Sequence, residues 1–415
     1  MATALGHGGG IMTAITHRRL LIIAAPIVLS NATVPLLGAV DMAVVGQMGQ
    51  AAPIGAVGMG AVILVTLYWV FGFLRMGTSG LAAQAHGAGD LPERGAILIR
   101  ALLIAAAAGL VLIAAQAMIL RGAFLVAPAS AQVEALARDY LAIRIWGAPA
   151  TIGAYALTGW LIAVERTRSV LVLQLWVNGV NVALDLWFVL GLGWGVPGVA
   201  AATLIAEWSG LALGLWLCRD GLIPVWRAAL ARIGNAAALR VMLVVNRDIM
   251  IRSVLLQVSF TAFVFIGARF GDVTLAANQI LLQFLSITAY ALDGFALAAE
   301  TLVGQAVGAR VATDAHRAAR LSMGWGLAGG VALGVVFGAG GPWIIDLMAT
   351  APDVRAEARA FLPWMLIAPL IGVVSWIYDG IFIGATLTAE MRRCMMLSVA
   401  IYAAALALLV PSLGN

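Results

Sequence analysis

No lysine occurs in this sequence: all 24 basic residues are arginine. Together with the excess of alanine, this reads as a compositional bias of the genome rather than as chemistry. A G-x-x-x-x-G-K-[ST] loop is also missing, so ATP-driven pumping by this chain alone is not expected. There are two cysteines, Cys218 and Cys394, each at a predicted inner helix end, which argues against a disulfide framework. Charge of either sign is scarce, at 10% of residues. A soluble domain carries about 25%. The formal charge of +5 would suit a nucleic-acid binder, but the arginines are spread over short loops, where membrane topology explains them better. The first ten residues, MATALGHGGG, have no basic n-region, so no cleaved signal is expected.

Long apolar runs fill the space that charge leaves. The chain is 63% hydrophobic with a mean hydropathy of +1.03, and its runs exceed the roughly 20 residues that cross a bilayer. It is expected to be an all-α polytopic membrane protein. Spans are placed near 20–46, 54–76, 95–120, 139–163, 169–191, 197–218, 249–269, 274–300, 321–348, 359–384 and 393–411, eleven in all. With a cytoplasmic N-terminus, sixteen arginines fall on inner loops. Five fall outside, Arg121, Arg138, Arg269, Arg355 and Arg359, and Arg75, Arg144 and Arg252 lie within or at the ends of spans. That asymmetry is what the positive-inside rule requires. The four histidines, His7, His17, His86 and His316, all lie in the inner tail or loops, so a histidine relay through the membrane is excluded. No nucleophile with a base, and no His/Cys metal set, lies within the spans, so an enzyme is not expected.

The longest connection, 219–248, contains Pro224, five of the inner arginines and apolar residues at helical spacing in RIGNAAALRVMLVV, which predicts an amphipathic helix at the cytoplasmic interface. It divides the chain into a six-helix lobe, 1–218, and a second lobe, 249–415. LAAQAHGA at 81–88 matches LVGQAVGA at 302–309, a shift of 221 residues that also carries Gly46 onto Gly267 and Gly159 onto Gly380. The lobes therefore read as a parallel duplication. Its symmetry calls for a twelfth helix after 393–411. The sequence ends at Pro411, Ser412, Leu413, Gly414, Asn415, so the second lobe has five helices and is expected to be truncated.

Polar groups inside spans mark the functional candidates. An aspartate at the centre of a membrane helix costs on the order of 3 kcal/mol, and such acids usually face a cavity or a partner. The first span carries Pro26, Pro35 and, five residues before its outer end, Asp41. Asp185 lies at similar depth in the fifth span, with Asn181 and Asn178 on the same helical face, and Thr203 lies at that level in the sixth. These oxygens suit a hard cation or a shared proton; the alternative is that they pair off to fix helix packing. Glu207 is a candidate supporting partner. Asp293 and Asp379 are candidates to line a cavity in the second lobe, whereas Glu300 is expected to be solvated or capping. Tyr140 and Trp194 are expected as interfacial anchors, and the glycines of GAVGMGA at 55–61 as close-packing points.

The duplicated lobes, the early proline and outer aspartate of the first helix, and the N-x-x-x-D face at 181–185 resemble the multidrug and toxic compound extrusion (MATE) family, in particular its DinF-like branch. The resemblance implies a V-shaped pair of helical bundles in the bacterial inner membrane, acting as a monomer. It implies an antiporter that exports small organic cations in exchange for protons or sodium, with no cofactor beyond the coupling ion. It places a cation or proton site at Asp41, Asn181, Asp185 and Thr203 and a bend of the first helix near Pro26; Asn178 and Glu207 are candidate supporting residues by their helical position alone. The nearest alternative is a lipid-linked oligosaccharide flippase of related architecture. It would line its cavity with arginines for pyrophosphate, and Arg144 and Arg252 are the available candidates.

Overall fold

The computed structural model describes residues 14–126 and 129–413. His7, the first ten residues, the Pro35 side chain and residues 414–415 lie outside the described set. Among the described residues there is no strand. The helices are α1 (His17–Gly46), α2 (Ala51–Trp69), α3 (Phe73–Gly87), α4 (Leu91–Ala114), α5 (Gln116–Val126), α6 (Ala131–Arg144), α7 (Ala148–Ala163), α8 (Thr167–Asp185), α9 (Gly195–Leu222), α10 (Trp226–Ile233), α11 (Ala236–Gly267), α12 (Asp272–Gly308), α13 (Ala312–Met348), α14 (Pro352–Gly384) and α15 (Thr388–Leu413). The reason for an all-helical chain is solvation: in hydrocarbon each backbone N–H and C=O must be satisfied within its own segment.

Nine segments among the described residues are long and apolar enough to cross a membrane. The two other expected spans are α1 and the stretch 139–163, which is built as α6 and α7 around a 3₁₀ turn at Ile145–Gly147. Pro149 explains the interruption, because it has no N–H to offer the Ile145 carbonyl. Several helices run well past their apolar core. At 37 residues α12 is about 55 Å long at 1.5 Å per residue, against a hydrocarbon layer of about 30 Å. Hydropathy locates only the part that lies in lipid.

The stretch expected as one amphipathic connection, 219–248, is divided. Helix α9 runs on to Leu222, a 3₁₀ turn at Ile223–Val225 leads into the short α10, and Ala236 already opens α11. The break is a local signal: Gly234 ends α10, and the Asn235 side chain accepts the N–H groups of Ala237 (3.0 Å) and Ala238 (3.2 Å) as an N-cap. Arg100 holds α10 in place by donating to the carbonyls of Ile233 (3.2 Å) and Arg232.

The 221-residue repeat is visible bond by bond in the turns. Gly89 and Arg310 have left-handed φ of 71° and 60°, and Glu165 and Thr386 of 60° and 53°. Each closes a helix by a Schellman pair. Arg166 and Leu387 donate to the carbonyls of Leu161 and Phe382, both at 2.8 Å, and Asp90 and Val311 to those of Ala85 (2.9 Å) and Ala306 (3.0 Å). Helices α8 and α15 then start on equivalent threonines, Thr167 and Thr388, both buried.

The chain forms two compact units, one of residues 29–82 and 91–242, the other of residues up to 28, 83–90 and 243–415. Helix α1 contributes to both, changing over after Val28, two residues beyond Pro26. In the unit containing α12, a cavity of about 540 Å³ is walled by α11, α12, α14 and α15, with Phe263, Leu281, Phe361, Met365 and Tyr402 among its lining residues. Asp293 and Asp379 are not in its lining; Asp379 instead accepts from Arg252 at 2.7 Å. Glu300, expected at a solvated position, is buried at 1% exposure.

The same unit holds a reciprocal close approach. A Cβ at Gly87 would strike the Gln305 carbonyl oxygen, and one at Gly308, 221 residues on, would strike the Gln84 carbonyl oxygen. Backbone atoms cannot swing aside as a side chain tip can. Gly308→Ala should therefore cost about 1–3 kcal/mol of overpacking, read as a lowered midpoint of thermal unfolding in detergent, with Gly324→Ala, which has open space at its Cβ, as the control.

Candidate cation site

All four residues singled out as ligands lie in the unit of residues 29–82 and 91–242 and converge there. Helix α1 carries Asp41 and α9 carries Thr203, while α8 carries Asn181 and Asp185 one turn apart. Asn181 and Asp185 have no exposed surface, and Thr203 is 9% exposed. The Asn181 amide donates to Thr203 Oγ1 at 3.0 Å, and that hydroxyl donates to the Val199 carbonyl at 3.0 Å. The helix is locally rewound at this point: immediately after Asp185, residues Leu186–Gly191 form a π-helical turn, closed by Leu192 N–H to the Trp187 carbonyl at 2.9 Å. Turns of this kind recur at functional sites.

The carboxyl groups of Asp41 and Asp185 lie within hydrogen-bond range of each other. Among the described residues, Asp185 Oδ1 and Oδ2, Asp41 Oδ1 and Asn181 Oδ1 are buried without a close hydrogen-bond partner, and the Asn181 amide acts on the Asp185 carboxyl only from farther off. Buried polar atoms are normally paired, so a pocket of acceptors without close donors is a place for something that brings positive charge. No group of three or more His, Cys, Asp or Glu side chains is placed to hold a metal ion among the described residues. Two carboxylates supplemented by amide and hydroxyl oxygens suit a proton or a monovalent hard cation.

Asn178 does not join this set. It accepts from Gln174 at 2.9 Å and reaches the Thr33 carbonyl at 3.4 Å, so it ties α8 to α1. Helical spacing put it on the same face, but three residues from Asn181 is far enough round the helix to meet a different neighbour. Tyr140 is not an interfacial anchor either. It is 4% exposed, its ring occupies the space beside Gly60, and its hydroxyl lies against the Arg144 guanidinium. Trp194 is half exposed and stacks on Phe188 with ring centroids 4.7 Å apart.

Glu207 forms a two-pronged ion pair with Arg144: Nη1 to Oε2 is 2.7 Å and Nη2 to Oε1 is 3.0 Å. The side chains are 8% and 13% exposed. Gly147 makes the room, since the Glu207 carboxylate sits where a Cβ of residue 147 would be. Removing one partner from a buried pair costs about 3–5 kcal/mol. Sequence reading treated Arg144 and Glu207 separately. The span limits put Arg144 and Glu207 at different depths; only the helix starts at Ala131 and Gly195 place the two opposite charges at matching distances along inward-running helices.

The Thr203 hydroxyl is the acceptor that keeps the Asn181 amide in place. Thr203→Val should remove that buried amide's 3.0 Å acceptor and cost about 1–3 kcal/mol, measured as a lower thermal midpoint of the purified protein. Ser at the same position should restore most of the loss.

Comparison with known proteins follows the same outline. The MatE family profile matches residues 26–187 and again 249–409, one match in each repeat. DNA damage-inducible protein F of Escherichia coli is 40% identical over 408 residues, covering 95% of this chain and 86% of that one. Protein DETOXIFICATION 44, chloroplastic, of Arabidopsis thaliana is 26% identical, covering 88% and 71%. Among solved structures, the Vibrio cholerae MATE transporter VcmN in the bent form superposes with a TM-score of 0.86 at 18% identity, covering 96% of this chain and 90% of that one, which is a likeness of fold. A multi-pass helical protein whose two repeats each match this profile, with a relative this similar along almost its full length, belongs to the MatE family, a family of membrane transporters and not of enzymes.

Proposed function

We propose that this chain is a secondary antiporter of the bacterial inner membrane that exports small organic cations in exchange for protons or sodium ions, working as a monomer with its N-terminus in the cytoplasm. The observation that carries the reading is the acceptor-rich pocket: four buried oxygens of Asp41, Asn181 and Asp185 without a close hydrogen-bond partner among the described residues. A proton or a sodium ion supplies what these oxygens lack, and the residues present fit either. Two carboxyl groups within hydrogen-bond range of each other can share one proton.

The working cycle follows from that competition. A coupling ion entering from outside neutralises the Asp41–Asp185 pair, and an organic cation held by the same negative charge loses its counter-ion and leaves. Helix α1 is the element that can respond, because it carries Asp41 and because Pro26 breaks one rung of its backbone hydrogen bonding close to where it passes from one compact unit to the other. The flippase alternative needs free guanidinium groups for pyrophosphate. Arg144 and Arg252 are instead engaged by Glu207 and Asp379, each at 2.7 Å, which favours a cationic cargo.

Reconstituted protein should release a fluorescent organic cation from proteoliposomes under an imposed proton gradient or an imposed sodium gradient, and the gradient that works names the coupling ion. Asp41→Asn should insert and fold normally and abolish coupled efflux. Gradient-driven efflux retained in a well-folded Asp41→Asn protein would sink the assignment.

A further inference from the structure

The cation site has a neighbour whose charge the cycle above leaves unused. Arg144 acts electrostatically on both Asp41 and Asp185, yet it is bound to Glu207. Its Nε is buried without an acceptor, while Asp185 Oδ1 and Oδ2 and Asp41 Oδ1 are buried without a close donor. Arg252 Nε, in the Arg252–Asp379 pair, is likewise buried without an acceptor; what sets Arg144 apart is the nearby pair of carboxyl groups on which its charge also acts. The charged groups converging here are Asp41 from α1, Asp185 from α8, Glu207 from α9 and Arg144 from α6. The phenols of Tyr68, Tyr140 and Tyr155, from α2, α6 and α7, stand around them. Three carboxylates thus share one guanidinium, which can satisfy Glu207 or the aspartate pair by two-pronged contact but not both.

We propose that Arg144 is an internal cation that trades Glu207 for the Asp41–Asp185 pair when the coupling ion leaves, so that Glu207 is the carboxylate that receives the organic cation. The inference rests on the antiport reading above. With the pair neutralised by its ion, Arg144 stays on Glu207, the arrangement observed here. When the ion departs, two adjacent buried carboxylates are left without compensation, the more costly situation, and the guanidinium moves over to them. The Arg144 side chain leans toward the start of α6, as helical side chains do, which is the direction of Tyr140, and the Tyr140 hydroxyl already lies against it. Glu207 is then bare, fixed by the gap at Gly147, and open to a cation. A returning coupling ion sends Arg144 back and expels the cargo. Arg144 is a positioning residue in this scheme and Glu207 the binding one.

The test compares wild type, Arg144→Gln and the double variant Arg144→Gln with Glu207→Gln, using ethidium as the cation. Its affinity is measured at acidic and alkaline pH, with and without sodium, alongside efflux from proteoliposomes. Wild-type affinity should fall at least about tenfold, equivalent to about 1.4 kcal/mol, when the coupling ion is supplied. Arg144→Gln should hold ethidium tightly in all conditions and lose coupling. The double variant, which removes both members of the Arg144–Glu207 ion pair and so carries the test if the single variant fails to fold, should bind at least about tenfold more weakly throughout. Wild-type affinity and coupled efflux in a folded double variant would overturn the inference and leave the antiport reading standing. Absence of coupled efflux in wild type would overturn the antiport reading itself.

Discussion

Inside a hydrocarbon layer a polar atom has no water to fall back on, and each part of this chain is arranged around that constraint. It forces the backbone into helices and makes every helix end a problem of orphaned carbonyls. It also turns each buried side chain that lacks a partner into a statement about a missing charge. The Schellman turns at Gly89, Glu165, Arg310 and Thr386, the Asn235 cap and the arginine of α4 reaching the carbonyls that end α10 all answer it with protein atoms. The Asp41, Asn181 and Asp185 oxygens do not. Other buried side-chain atoms lack a close partner too, Thr78 Oγ1 and Ser322 Oγ among them; what marks this site is that two of the groups concerned are carboxyls within reach of each other.

Much of the architecture was legible beforehand because the signals are strong and local. Apolar runs longer than a bilayer marked nine of the eleven expected spans in order, and the Q-A-x-G-A motif with its 221-residue shift anticipated turns that repeat down to single hydrogen bonds. Depth was legible too, since counting residues from span ends put Asp41, Asn181, Asp185 and Thr203 at one level. Facing was less so. Asn178 has the right period but meets Thr33, and Tyr140 sits near a span end yet is turned inward beside Arg144. Which neighbour a side chain meets depends on how four helices are rotated against each other, and a one-dimensional pattern does not contain that angle. The Arg144–Glu207 pair was missed for the same reason, 63 residues separating its members. The linker was misjudged for a different one: Gly234–Asn235 is a stop and a cap in two residues, which a search for amphipathic periodicity passes over.

Functional weight is unevenly distributed between the repeats. Residues 221 positions after Asp41, Tyr140, Arg144, Asn181 and Asp185 are Ala262, Phe361, Met365, Tyr402 and Leu406. Phe361, Met365 and Tyr402 line the apolar cavity of the second repeat. The turns kept their geometry across the duplication while the chemistry at matching positions was replaced, polar in one copy and oily in the other. Backbone capping depends on conformation and tolerates Glu, Arg or Thr at a left-handed position; a cation site depends on side-chain identity at every ligand.

That asymmetry bears on the energetics of the cycle. On the antiport reading, the Asp41–Asp185 pair loads one coupling ion in each cycle, and Arg144 stays inside the protein throughout. One monovalent ion in for one monovalent cation out moves no net charge across the bilayer. On the antiport reading, the membrane voltage then contributes nothing to the exchange. The steepest cargo gradient it can sustain is set by the concentration ratio of the coupling ion alone, so a de-energised membrane that kept its proton or sodium ratio would still drive export.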